Sequence, residues 1–243
     1  MVLKVTDLVG GYSTIPVLKG ISFEVKKGEL VGLIGLNGAG KSTTINHIIG
    51  ILQPFSGMIR IEGVSLDDDP QRYKEKIAYI PETPILYEEL TLKEHIEMTI
   101  MAYNLDKDAA WKKANDLLKV FRLENKIDWF PADFSKGMKQ KVMIVCAFIT
   151  NASLYIIDEP FLGLDPLAIN DLLNLIETEK KRGAGILMST HVLATAQEYC
   201  DKFVLLHEGQ VKAQGTLEQL RASENSQVNA SLSDIYLKMA KEG

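Results

Sequence analysis

Nine residues, GLNGAGKST at 35–43, restrict what this chain can fold into more than any other feature. They satisfy the spacing G-x-x-x-x-G-K-[ST] through Gly35, Gly40, Lys41 and Ser42, and they follow the apolar run LVGLI at 30–34. Glycines let such a loop turn its backbone N–H groups inward around an anion. The helix expected next, with Ile45, Ile48, Ile49 and Leu52 spaced i, i+3, i+4, i+7, aims its positive N-terminus at the same point. The reading is a phosphate cradle built from Asn37, Gly38, Ala39, Gly40, Lys41, Ser42 and Thr43. Lys41 reaches the β- and γ-phosphates and the Ser42 hydroxyl ligates Mg²⁺.

A strand, a phosphate loop and a helix imply an α/β fold, and the rest of the chain agrees. Short apolar runs recur at IAYI (77–80), LYII (154–157), GILMS (185–189) and FVLL (203–206), most separated by helical stretches. That alternation predicts a mostly parallel sheet covered on both faces. Before it, LKVTDLV and VLKGISFEV, joined by GGYST, predict an antiparallel β edge at the N-terminus. Residues from about 86 to 153 hold helical patterns and no convincing strand. Thr91-Leu92-Lys93-Glu94 has capping-box spacing with periodicity running past Tyr103, and a second helix is expected from Asp108 to Val120.

The expected organisation is therefore one domain over 1–220. Its core is 1–85 and 154–220, and an α-helical subdomain is inserted at about 86–153. Residues 208–209 turn a hairpin, and 221–243 form a linker with a short helix IYLKMAKE capped by Ser233 or Asp234.

Composition removes several classes. With 243 residues and 46% hydrophobic content the chain buries a core. A net charge of −5 gives no global basic field for nucleic acid. Two cysteines, Cys146 and Cys200, fit a reducing cytoplasm and no disulfide framework. No signal peptide is expected, and the longest apolar run, VMIVCAF at 142–148, is too short to span a bilayer. Work at a membrane would require another chain.

LYIIDE at 154–159 drives an apolar strand straight into two carboxylates. Burying both is expensive without compensation. Beside the phosphate loop, Asp158 is expected to hold Mg²⁺ through its water shell and Glu159 to act as general base on a water attacking the γ-phosphate. Lys41 and the metal supply the missing positive charge.

Two further stretches make the assignment specific. FSKGMKQ lies at 134–140 and PFLGLDP at 160–166. With the phosphate loop (Walker A) and LYIIDE (Walker B), they give the chain a resemblance over about residues 2–220 to the ATP-binding subunits of bacterial ABC transporters. FSKGM aligns with the family signature LSGGQ, so the resemblance implies that Ser135 and Gly137 contact the γ-phosphate held by a second subunit. Ser135 is also expected to cap the helix that begins at Lys136. The resemblance further implies that Tyr12 stacks on adenine and that Leu164-Asp165 cross the dimer interface. It implies that His191 contacts the γ-phosphate and orients the attacking water. Asp165 before Pro166 also reads as a helix N-cap.

Two departures stand out. Glu82 in YIPETP occupies the place of the family's metal-coordinating glutamine, and Lys136 and Met138 replace glycine and glutamine of the signature. If Glu82 faces the metal, Glu82, Asp158 and Glu159 share one site. YIPETP together with FSKGMKQ is most similar to Ecs-type exporter ATPases. That implies an ATP- and Mg²⁺-dependent motor at the cytoplasmic face of the membrane. It would pair with a second copy or a related ATPase subunit, bind no nucleic acid, and dock an integral membrane subunit near PILYEEL at 84–90. A soluble ABC ATPase, or a nucleotide-gated clamp with little turnover, is the alternative.

Overall fold

The structure, a computed structural model, describes residues 1–223 and 229–242. Its larger sheet has six strands in the order β5–β6–β7–β3–β8–β9. These are β3 (Leu30–Ile34), β5 (Ile77–Ile80), β6 (Leu154–Asp158), β7 (Gly185–Thr190), β8 (Lys202–His207) and β9 (Gln210–Gly215). The first five run parallel and β9 returns antiparallel. β3, β6 and β7 are buried along their whole length, as strands sandwiched between two layers must be. Parallel pairing has one consequence for everything below: the segments after Ile34, Ile80, Asp158 and Thr190 leave the sheet at one edge. Ile34 lies opposite Thr190, and Asp158 opposite Ser189.

The smaller sheet is antiparallel, with order β2–β1–β4, built from β1 (Leu3–Tyr12), β2 (Ile15–Val25) and β4 (Ser56–Ile61). The strands run through Gly10–Tyr12, so the turn is only Ser13-Thr14 instead of the whole of GGYST. Helix α1 (Lys41–Ile48) follows the phosphate loop and stops earlier than its apolar spacing predicts, with Ile49 as its C-cap and Leu52 outside it. Sequence reasoning did not propose β4 or helix α2 (Pro70–Glu75). β4 buries only Ile59 and Ile61, so it shows little apolar pattern. α2 carried a readable start signal: Asp69 caps it, accepting from the Arg72 N–H, with Pro70 at its first position. The β8–β9 hairpin turns on Glu208 and Gly209, φ 46° and 75°, as expected for a two-residue loop of this hand.

The helical insert consists of α3 (Leu92–Ala102), α4 (Lys107–Phe121) and α5 (Lys136–Ile149). Thr91 and Glu94 form the expected capping box, and α3 ends at Ala102 with Tyr103 as its cap instead of continuing. The three helices share one apolar core with one face of the sheet, in which Ile96, Leu118 and Phe148 join Tyr155 and Ile157. Ahead of α3, His95 fixes the segment 84–90. Its Nε2 accepts from the Tyr87 N–H at 2.9 Å while Nδ1 faces the Thr91 carbonyl at 2.8 Å, which requires the neutral Nδ1–H tautomer. Ile85, Tyr87, Met98 and Met101 remain exposed on this side.

Helices α6 (Pro166–Arg182), α7 (Leu193–Tyr199), α8 (Leu217–Ser223) and α9 (Leu232–Glu242) complete the chain. The C-terminal expectation needs correction. The boundary placed at 220 falls inside α8, and α9 is packed, burying Leu232, Ile235, Tyr236 and Met239 against Ala196, Phe203, Leu205 and Leu220. Its cap is Ser231, whose Oγ accepts from the Asp234 N–H while Asp234 accepts from the Ser231 N–H, not Ser233 or Asp234 as expected. Residues 224–228 and 243 of the expected C-terminal segment lie outside the described residues. Among the described residues no helix is long and apolar enough to cross a membrane.

Candidate active site

The loop between β3 and α1 has the backbone its glycines allow. Gly40 caps α1 in the left-handed region, φ 110°, and a Cβ there would meet Leu18 at 2.8 Å. The first N–H groups of α1 have no partner within the helix, which leaves them free to bind an anion at its N-terminus. Lys41 is buried, with Nζ donating to the Gly35 carbonyl at 2.7 Å. Tyr12, at the end of β1, is half exposed. It shares one open cleft with Val17, Asn37, Gly38, Gly40, Lys41, Ser42 and Thr43.

Asp158 and Glu159 reach the same edge on β6. Asp158 is buried and accepts a short hydrogen bond from the Ser189 hydroxyl. Burial pushes its carboxyl above the usual carboxylate range, the charges of Glu82 and Glu159 add to that push, and Ser189 and Lys41 oppose it. Burial likewise lowers the Lys41 ammonium, opposed by Glu159, Asp158 and Glu82 in that order. The positive charge that LYIIDE faces within the chain is thus Lys41.

Glu159 takes a left-handed backbone conformation, φ 47°, held by its N–H donating to the Ser189 carbonyl at 3.1 Å. Its carboxylate is gripped on both oxygens. Oε1 accepts from the His191 N–H at 3.0 Å and lies 2.7 Å from His191 Nδ1, and Oε2 accepts from the Thr190 hydroxyl at 3.1 Å. An ionised carboxylate only accepts, so Nδ1 carries the proton and Nε2 is the ring nitrogen turned away from Glu159. Sequence reasoning singled out both residues but not this contact, nor Ser189 and Thr190. The polar pair at the end of an apolar strand was the available signal.

Ser135 and Gly137 stand apart. Among the described residues lining the cleft neither is present. Ser135 caps α5, accepting from the Met138 N–H at 3.3 Å, and is exposed. Gly137 has a role the motif did not reveal: a Cβ there would meet the Gly163 carbonyl oxygen at 2.5 Å. The start of α5 therefore packs on the loop after Glu159. Lys141, one turn further along, donates to Asp165 at 2.8 Å. Asp165 caps α6, accepting from the Ala168 N–H at 2.9 Å with Pro166 at the first position.

Glu82 is exposed in the turn after β5, and its charge is felt at Asp158, Lys41 and Tyr79. Among the described residues no three His, Cys, Asp or Glu side chains are grouped to hold a metal ion by themselves. Glu82, Asp158 and Glu159 therefore do not form a self-sufficient carboxylate cage. The donor set of a hydroxyl and carboxylates, with an Asp158 raised by burial and further by neighbouring negative charge, suits a hard cation whose remaining ligands are water and phosphate oxygens.

Comparison with known proteins bears on this arrangement. A family model described as ABC transporter matches residues 18–162. Over 240 residues, 99% of this chain and 97% of the relative, the sequence is 58% identical to the ABC-type transporter ATP-binding protein EcsA of Bacillus subtilis (strain 168). It is 35% identical to the SkfA peptide export ATP-binding protein SkfE of the same organism, over 86% of this chain and 87% of the relative. A solved ATP binding subunit of an ABC transporter superposes with a TM-score of 0.95 at 56% identity, covering 98% of this chain and 99% of the other. An ATP-binding cassette solved as a dimer in a post-hydrolysis state with ADP and Pi superposes with a TM-score of 0.78 at 25% identity, covering 88% and 98%.

Proposed function

This chain belongs to the ABC transporter family, and from that premise we propose that it is the ATP-hydrolysing motor of a membrane exporter, working as a head-to-tail pair coupled to separate membrane subunits. It is an ATPase and the ATP-binding subunit of an ABC transporter. The observation that carries the mechanism is the grip on Glu159: its carboxylate is aimed by His191 and Thr190 at the edge where Lys41 and Asp158 meet.

In this reading the backbone of 37–43 and the α1 N-terminus bind the phosphates, and Tyr12 lies against adenine. Lys41 keeps one proton on the Gly35 carbonyl and donates the others to phosphate oxygens. Mg²⁺, held by Ser42 and Asp158 with Glu82 nearby, would neutralise charge on the phosphate oxygens when bound. Glu159 takes the proton of a water as its oxygen bonds the γ-phosphorus and the bond to the β-phosphate oxygen breaks. His191 holds the carboxylate in line. Ser135 and Gly137 of a second copy close over the γ-phosphate. The position of Ser135 outside its own chain's cleft and the dimeric ADP- and Pi-bound cassette support that pairing. The peptide-export relative supports the direction of transport. The exposed Ile85, Tyr87, Met98 and Met101 support a membrane subunit docking beside the Glu82 turn, and in this reading the chain works at the cytoplasmic face of the membrane.

The test is the solution mass of Glu159→Gln by light scattering, with and without Mg-ATP. Doubling of the mass with Mg-ATP is expected. A variant that binds Mg-ATP and stays monomeric at high protein concentration would overturn the self-paired sandwich.

A further inference from the structure

Tyr236 is the largest side chain that α9 buries, and its hydroxyl does not face its own helix's surroundings alone. Oη accepts from the Leu36 N–H at 3.0 Å and donates to the Leu206 carbonyl at 3.0 Å. A phenol has one proton to give, and here that proton and an oxygen lone pair are both committed. Leu36 is the second residue of the phosphate loop.

The other half of the same peptide unit matters equally. The Leu36 N–H and the Gly35 carbonyl belong to one planar group, so their directions cannot change separately. Tyr236 takes the N–H behind the loop, and Lys41 Nζ takes the carbonyl at 2.7 Å in front. Turning this peptide breaks both bonds at once. The rear of the loop is closed at two more points: a Cβ on Gly35 would stand 2.8 Å from the Leu206 carbonyl oxygen, and the Gly209 N–H donates to the Ala39 carbonyl at 3.0 Å.

The helix that supplies Tyr236 is itself anchored. Leu232, Ile235 and Met239 pack on Phe203, Leu205 and Ala196, and the Leu232 N–H donates to Gln197 Oε1 at 2.6 Å. Gln197 lies on α7, which starts two residues after His191. One C-terminal helix therefore touches both the phosphate loop and the helix behind the Glu159–His191 pair.

We propose that Tyr236 is a positioning residue for nucleotide binding: it orients the Gly35–Leu36 peptide, and through it Lys41, so that α9 is a structural part of the phosphate site. The proposal rests on reading 35–43 as the ATP site. It involves no chemistry by Tyr236, which touches no reacting atom.

The experiment compares the parent chain with Tyr236→Phe and Met239→Ala. Phe keeps the ring in the core and removes only the hydroxyl. Met239→Ala loosens the same helix while leaving the hydroxyl in place. Equilibrium Mg-ATP binding, KM and kcat are measured for each. For Tyr236→Phe, the dissociation constant and KM should rise about tenfold with kcat within about twofold, because the loss falls on binding of substrate and transition state alike. Met239→Ala should lower thermal stability and leave KM within about twofold of the parent. Unchanged affinity in Tyr236→Phe would overturn the proposal, as would an equal rise in KM in Met239→Ala, which would reduce the effect to helix packing. A parent chain that fails to bind Mg-ATP would instead overturn the underlying nucleotide-site reading, and the proposal with it.

Discussion

Glu159 combines two demands that a single residue rarely meets. Its backbone sits at φ 47°, costly for a residue with a Cβ, and its carboxylate is held by three donors from 190 and 191. The strain is tolerated because the Ser189 carbonyl and the His191 segment determine where both ends of the residue lie. Glu159→Gln keeps the side-chain volume and removes the base, so turnover should fall by about 10²–10⁴-fold while ATP binding persists, measured as phosphate release against equilibrium binding. Glu82 is the second residue to test. Its charge adds to the burial that raises Asp158, so Glu82→Gln should retain ATP binding and shift the Mg²⁺ dependence of turnover to higher metal concentration. An unchanged Mg²⁺ titration would remove Glu82 from the metal site.

At the scale of elements, the decisive joint is between α5 and the loop after β6. Gly137 faces the Gly163 carbonyl with no room for a methyl group, and Lys141 ties the next turn of α5 to Asp165. Gly137→Ala must push the backbone carbonyl aside, and such overpacking costs about 1–3 kcal/mol. The expected result is a lower melting temperature with reduced turnover, read by thermal denaturation and phosphate release. An unshifted melting temperature would show that the loop yields freely. The central strands and the helices of the insert were legible because their apolar spacing is local and strong. β4 was not, since an edge strand burying two residues carries little pattern, and α9 is expected as a short helix after a linker but its packing on the domain is not, because a polar stretch precedes it. For the same reason FSKGM was readable as a signature and a cap, whereas its packing on Gly163 was not.

For the whole molecule, the buried acids set a direction for stability against pH. Burial pushes Cys146 up to about 11, and Cys200 and Tyr79 to about 12, above the ordinary thiol and phenol ranges. Tyr73 and Tyr155 are raised further by burial. Above pH about 9 the unfolded chain loses these protons while the native chain keeps them, so the unfolded state binds fewer and stability falls as pH rises. The lowered Lys41 acts in the opposite sense but is outnumbered by these groups and by Tyr103, which burial also raises. The unfolding free energy from urea titration should decline between pH 8 and 10.5 by about 1.4 kcal/mol per pH unit for each group ionised only in the unfolded state, and the midpoint with it. A flat midpoint over that range would mean these groups ionise without unfolding.

Contiguous features were determined by the sequence alone: the phosphate loop, the carboxylate pair at a strand end, the capping box at Thr91, the Asp165-Pro166 helix start. Each is a short run whose chemistry depends on spacing along the chain, so order and residue type suffice to read it. The tertiary structure alone decided what meets across the sheet. Strand order brings the end of β7 beside that of β6, which sets His191 against Glu159, 32 residues away in sequence. It also brings a helix from the far end of the chain behind the phosphate loop, so that Tyr236 meets Leu36 across 200 residues. No local propensity encodes such contacts; they form because the apolar faces of α9 and β8 bury each other and carry a hydroxyl to an otherwise unpaired N–H.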